Sequence, residues 1–275
     1  MNIKKFFSKN LWIDSFVVAI SIIAGIETIF AIFDFKLNEI YCGITLWWEK
    51  LIVIFVVFLI VWSLTVVFKA LQSYSSISLK IRNIPILIKE GNLFDSRDWK
   101  VIPFNEYFDT QVDDVIIAHN SLNGVFIDTY VNNISDLRQV ITNAPSIPNL
   151  SIENRDGRIR HELGRIITYN SYMLLAFSHF ENNQARLNHN QYEACLRTMW
   201  KEISRTYANR PITIPLLGGG ITRFEGVSGK NESHLLRCIL CTLNTSDAQI
   251  YQPITICLTK KTIDNINLYD LKKLF

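Results

Sequence analysis

Two long apolar stretches open the chain. FVVAISIIAGIETIFAIF, Phe16 to Phe33, is interrupted by one ionisable residue, Glu27, and LIVIFVVFLIVWSLTVVF, Leu51 to Phe68, carries no charge. Each makes roughly 27 Å of helix at a rise of ~1.5 Å per residue, enough to cross a hydrocarbon core of roughly 30 Å once the ends are counted. The pattern predicts a two-helix transmembrane hairpin over residues 1–72, with spans at about 12–33 and 51–69. Beyond residue 73 the pattern becomes mixed. ISLKI, PILIKE and WKVIP read as strands, and DVIIAH as a short buried run. SDLRQVI reads as a helix, and so does YEACLRTMWKEIS, with apolar positions at i, i+3, i+4, i+7, i+8 and i+11. IRHELGRIITYNSYMLLAF is expected to be helical too, giving a helical elaboration near residues 155–208. PITIP, SHLLRCILCTL, QPITICLT and NLYDLKKLF complete a strand, helix, strand, helix sequence. The alternation predicts an α/β domain over 73–275, a mixed sheet flanked by helices.

Charge changes this picture by orienting it. Lys4, Lys5 and Lys9 precede the first span, and Lys69, Lys80 and Arg82 follow the second, whereas the connecting loop holds only Lys36 and Lys50. The positive-inside rule then puts both termini of a multi-pass membrane protein in the cytoplasm. Trp12, Trp47 and Trp48 fall at interfacial positions. Ser21, Ala24, Gly25, Thr28 and Ala31 form a small-residue stripe on the first span, with Glu27 at its edge. A carboxyl at that depth is costly unless it meets other protein or water, so Glu27 is a candidate for a subunit interface, an aqueous path or a structural partner within the hairpin.

Composition narrows the chemistry. Hydrophobic residues make up 49% and charged residues 19%, with a net charge of +3, too little for a nucleic-acid partner. Five cysteines, odd in number and irregularly spaced, argue against a disulfide framework. Cys238 and Cys241 lack a second ligand pair for zinc and read as two small buried residues of one helix face; no metal site and no catalytic acid–base pair stand out. The sequence holds 11 glycines, and three of them adjoin in PLLGGGITRF, Pro215 to Phe224, after a strand and before a helix. Such a loop exposes backbone N–H groups and admits positive φ, so it is either a tight turn or a diphosphate cradle.

Local sequence and order favour the cradle. KEGNLFD, VIPFNEYFDT, HNSLNGVFI and PLLGGGITRF follow one another in the order of the elements around the ligand of a macro domain, and the chain from residue 73 resembles that family. Two spans joined to such a domain look like the transmembrane–macro domain effector of type II Thoeris anti-phage defence. The resemblance implies binding of an ADP-ribose derivative and assigns its contacts by position. Asn92 and Leu93 stand at the adenine, where the family's aspartate is replaced, and Asn105 and Glu106 stand at the ribose loop. Ser121, Leu122, Asn123 and Gly124 replace the first phosphate loop. Leu217, Gly218, Gly219, Gly220, Ile221, Thr222, Arg223 and Phe224 form the second. It further implies a TIR-domain partner that makes the signal, a histidine–ADP-ribose conjugate, a homo-oligomer, no cofactor, and membrane disruption leading to abortive infection. A membrane-anchored ADP-ribosyl hydrolase using Glu106 to activate water, and a domain kept only for assembly, are the alternatives.

Overall fold

The computed structural model describes residues 8–33, 46–155, 157–220, 222–224 and 231–275. Lys4, Lys5, Lys36 and Ile221, named above, lie outside them. The described chain divides into two compact units: residues 1–77 with Asn267–Leu274, and Ser78–Ile266 with Phe275.

The first unit is built on α1 (Lys9–Ile32) and α2 (Trp47–Gln72), both long and apolar enough to cross a membrane. Ser8 caps α1, its hydroxyl accepting from the Leu11 amide at 3.2 Å. Leu11, Ser15 and Ala19, four apart and therefore stacked on one face, are buried, as are Val66 and Ala70 on α2. Phe16 meets Phe58 and Trp62 edge-on, with ring centroids 5.3 and 5.5 Å apart. Trp62 Nε1 donates to the Trp12 carbonyl at 3.1 Å and Lys69 Nζ to the Asp14 carbonyl at 3.0 Å, tying the pair at one end. The small-residue stripe takes no part in these contacts: Ser21, Ala24, Gly25, Thr28 and Ala31 are all exposed. Ser21 and Thr28 turn their hydroxyls back to the Val17 and Ala24 carbonyls, at 2.9 and 2.8 Å, so neither presents an unpaired donor to an apolar surrounding.

The second unit holds a sheet of nine strands among the described residues. β1 (Ser76–Ile81) and β2 (Ile84–Glu90) join through Arg82 and Asn83, both at positive φ as a two-residue hairpin turn demands. β3 (Trp99–Asn105) precedes α3 (Leu122–Tyr130), α4 (Ile134–Thr142) and a separate two-stranded ribbon of β4 (Ile152–Arg155) and β5 (Arg158–His161). β6 (Ile166–Tyr169), β7 (Tyr172–Glu181) and β8 (Gln184–Leu187) lead to α5 (His189–Thr206), β9 (Ile212–Pro215) and β10 (Arg223–Phe224). α6 (Glu232–Asn244), β11 (Ile254–Leu258) and α7 (Lys260–Asn265) close this unit; α8 (Leu268–Lys272) belongs to the first. The strand order is β1-β2-β11-β9-β3-β7-β8-β10, with β6 beside β7. β2, β11, β9, β3 and β7 run parallel to one another, so their carboxyl ends fall along one edge of the sheet. Alternate β7 residues serve opposite faces. Leu174 and Ala176 join Phe104, Phe126 and Leu137 under α3 and α4. Phe177 meets Tyr192 of α5 edge-on at 5.9 Å.

Three expectations need correction. The stretch IRHELGRIITYNSYMLLAF, Ile159 to Phe177, is not a helix but falls in the strands β5, β6 and β7. Gly164, at φ 94°, and Asn170, at φ 52°, break it, and an added Cβ at Gly164 would lie 2.4 Å from Thr198 Cβ. DVIIAH is a loop with only Ile117 bridged and buried, because Asp113 Oδ1 captures the amides of Val115 and Ile116 at 2.9 and 2.7 Å. Cys238 is buried but Cys241 is exposed, since α6 is covered on one side only.

Candidate ligand-binding site

A cavity of about 890 Å³ opens along the carboxyl ends of β2, β11, β9, β3 and β7. Five neighbouring strands span four gaps of about 4.8 Å, so the trench is roughly 19 Å long. A crevice outside the carboxyl ends of parallel strands is where open α/β sheets bind ligands, because loops diverge there while the strands hold them rigidly.

The floor comes from strand ends. Asn105 is 8% exposed; its Nδ2 donates to Asp109 Oδ2 at 2.8 Å, and its Oδ1 accepts from the Tyr107 and Asp109 amides at 3.1 and 3.2 Å. Asn92 caps the 3-10 turn Leu93–Asp95, accepting from the Phe94 amide at 3.2 Å and donating to Asp95 at 3.1 Å. One wall is the start of α3. Ser121 caps it, its Oγ accepting from the Gly124 amide at 3.1 Å. Leu122 and Asn123 line the trench beside it. The opposite wall is the glycine loop. Gly218 takes φ 81°, where a side chain would be strained, and a Cβ there would come within 2.9 Å of the Phe224 ring. Gly220 faces open space.

Ten of the residues singled out in the sequence therefore share one trench: Asn92, Leu93, Asn105, Ser121, Leu122, Asn123, Gly218, Gly219, Gly220 and Thr222. Others do not face it. Gly124 packs beneath, where a Cβ would sit 2.2 Å from the Ala118 carbonyl oxygen. Leu217 is buried, and its carbonyl accepts from Tyr192 Oη at 3.0 Å. Arg223 is exposed, donating to Gln184 at 3.0 Å. Phe224 packs on Gly218, His189 and Tyr192. Nor does the glycine loop run directly into a helix: β10 follows it, paired with β8.

Glu106 is turned away from the trench and is 1% exposed. Its Oε2 accepts from His179 Nδ1 at 2.5 Å and Arg160 Nε at 2.7 Å, and its Oε1 from the Phe180 amide at 3.3 Å. Burial pushes this carboxyl up, but those bonds outweigh it and leave the pKa below the usual glutamate value. His161, next to Phe108 and edge-on to it at 5.1 Å, has its pKa lowered to about 4 by burial and by Arg165. Cys195 is fully enclosed, and burial pushes its thiol far up, away from the reactive thiolate.

The sequence reading missed the wall supplied by β11 and α7. Thr259, Lys260, Lys261 and Thr262 line the trench, as do Phe180 of β7, Asn183 of the β7–β8 turn and Glu232 of α6. The signal for the first group was present: QPITICLT ends a buried parallel strand, and parallel strands carry their sites at the carboxyl end.

A mixed sheet flanked by helices with a trench across its parallel strand ends defines the macro-domain class. The profile of the family described as "Thoeris protein ThsA, Macro domain" matches residues 86–259. The Thoeris protein ThsA of Bacillus amyloliquefaciens (strain Y2) is 38% identical over 211 residues, 72% of this chain and 70% of that protein. The chain belongs to the ThsA macro-domain family of Thoeris proteins. Among solved structures, a variant of the Oceanobacillus iheyensis macrodomain aligns over 73% of this chain and 97% of its own, at 12% identity and a TM-score of 0.47. A second variant of that macrodomain, with ADPR, aligns over 73% and 98% at the same identity and score.

Proposed function

We propose that this protein is a membrane effector of anti-phage defence that senses an ADP-ribose derivative. The observation that carries the reading is the trench with its glycine loop, in a chain whose family is that of Thoeris ThsA. A trench of about 19 Å suits a ligand with two ribosyl ends joined by a diphosphate. Gly218, Gly219 and Gly220 would hold the diphosphate by backbone, with Asn92 and Leu93 at the adenine end and Asn105 toward the distal ribose. The signal is a histidine–ADP-ribose conjugate made by a TIR-domain partner. Its binding shifts the hairpins of a homo-oligomer from a closed to a membrane-disrupting arrangement, which requires the two states to bind it unequally. The termini and the macro unit face the cytoplasm, and the spans meet the lipid bilayer. The reading needs no catalysis, and the engagement of Glu106 by Arg160 and His179 argues against its serving as a general base for hydrolysis.

The test is a calorimetric titration of the full chain with histidine–ADP-ribose and with ADP-ribose, alongside ligand-dependent dye release from vesicles. Gly220→Glu brings a carboxylate into the cradle without a clash and should weaken binding at least ~100-fold, about 3 kcal/mol, through anion repulsion. Wild-type protein that binds neither compound would sink the reading.

A further inference from the structure

The two units of the chain are tied twice. One tie is the Ile77–Ser78 link within β1, and neither residue lines the trench. The other runs from β11 through α7 and α8, and it starts inside the trench wall, at Thr259 to Thr262. Each step of this second tie is ordered by side-chain bonds. Thr259 Oγ1 caps α7, accepting from the Thr262 amide at 3.2 Å. Glu232, itself a trench residue, accepts from Thr262 Oγ1 at 2.8 Å and Asn265 Nδ2 at 3.1 Å. Ile263 and Ile266 are buried. Asn267 then caps α8 at once, accepting from the Tyr269 and Asp270 amides at 3.1 and 3.2 Å.

α8 closes on the spans. Tyr269 Oη donates to Asp14 Oδ2 at 2.5 Å, and Lys273 Nζ lies 2.6 Å from the same oxygen. Asp270 Oδ1 accepts from Ser8 Oγ at 2.5 Å and Asn10 Nδ2 at 3.0 Å. The Tyr269 ring packs against the cluster of Leu11, Val66 and Ala70. One short ordered segment therefore begins among trench residues and ends on the base of α1.

We propose that the α7–α8 segment is the transmission element, carrying occupancy of the trench to the hairpin through the clamp of Tyr269 and Lys273 on Asp14. The inference rests on the ligand-sensing reading above and adds its route. A ligand group that displaces the Glu232–Thr262 bond moves the start of α7. Only Ile266 and the capping Asn267 separate α7 from α8, so the shift is passed along the chain to α8 and its bond to Asp14. Coupling of this kind needs a contact that differs between two states, and the clamp supplies one.

The full chain in vesicles of phosphatidylethanolamine and phosphatidylglycerol tests it, with histidine–ADP-ribose as the probe. Asp14→Asn and the double variant Tyr269→Phe with Lys273→Ala cut the clamp from its two sides. Expected is a Kd within about twofold of wild type, full retention of the chain in carbonate-washed membranes, and at least a tenfold fall in the ratio of dye release with and without probe. Asp14→Glu should restore the ratio. An unchanged ratio in both clamp variants, beside a responding wild type, overturns the transmission role alone. A wild type that neither binds nor responds overturns the ligand-sensing reading itself.

Discussion

Val57, near the middle of α2, and Val140, on α4, are the same residue in the same secondary structure, 47% and 37% exposed. Their neighbours differ. Around Val57 the exposed residues are Ile54, Phe55, Val56, Ile60 and Leu64; around Val140 they are Asp136, Gln139 and Asn143. The macro unit turns its apolar residues inward and meets its solvent with polar ones. The hairpin buries Leu11, Ala19, Val66 and Ala70 and leaves the rest of its apolar surface uncovered. One physical rule produces both outcomes if the hairpin's solvent is hydrocarbon.

The strongest way to break that comparison is to place the same charge at both sites. Val57→Asp should cost about 3 kcal/mol of membrane insertion, the typical penalty for a carboxylate at the centre of a span. It would appear as a roughly hundredfold loss of the inserted form in a glycosylation-tag assay. Val140→Asp should stay within about 0.5 kcal/mol in urea unfolding of the macro unit. Equal, small effects at both positions would mean that the hairpin meets water.

A smaller effect separates the units by pH. The residues of the hairpin unit include no histidine, whereas the macro unit buries His161, whose folded-state pKa of about 4 lies below the usual 6.5. The unfolded chain therefore binds the proton first as pH falls. Stability is lost from about pH 6.5 downward and levels off below the folded value near 4. At pH 5 the loss from this group is about 2 kcal/mol. Thermal melting of the macro unit should fall between pH 7 and pH 5 while the helical signal of the hairpin does not. His161→Gln should remove most of that slope; a slope that persists unchanged in the variant would assign it to other groups.

The same contrast explains what could be read before any coordinates. Uniform apolar runs announce the hairpin, and in α5 the stripe Tyr192, Cys195, Leu196, Met199, Trp200 and Ile203 is wholly buried, as its spacing demands. The stretch 159–177 misleads because β7 is covered on both faces, so its run YMLLAFS loses the period of two that marks a strand. Gly164, Asn170 and the β-branched pair Ile166 and Ile167 held the correcting signal. The trench was legible where backbone chemistry needs glycine or a cap, at Gly218 and Ser121. The directions of Glu106 and Phe224 were not, because adjacent residues at a strand end face opposite ways and only tertiary partners decide which one faces the trench.

Glu27 gives the finest test, since it is the one ionisable residue within the apolar length of α1 from Phe16 to Phe33. It is exposed and borders a shallow groove lined by Ile20, Ile23, Ala24, Leu51, Ile54 and Phe58. None of those groove neighbours can pair with its charge. Glu27→Gln keeps the shape and the hydrogen-bonding capacity and removes only the charge. Binding of histidine–ADP-ribose to the macro unit should stay within about twofold, because Glu27 does not line the trench. Dye release should change if Glu27 meets water or a second copy in the assembled state. Release that matches wild type would leave Glu27 a passive residue of α1, and the difference between the two units would then lie in their apolar surfaces alone.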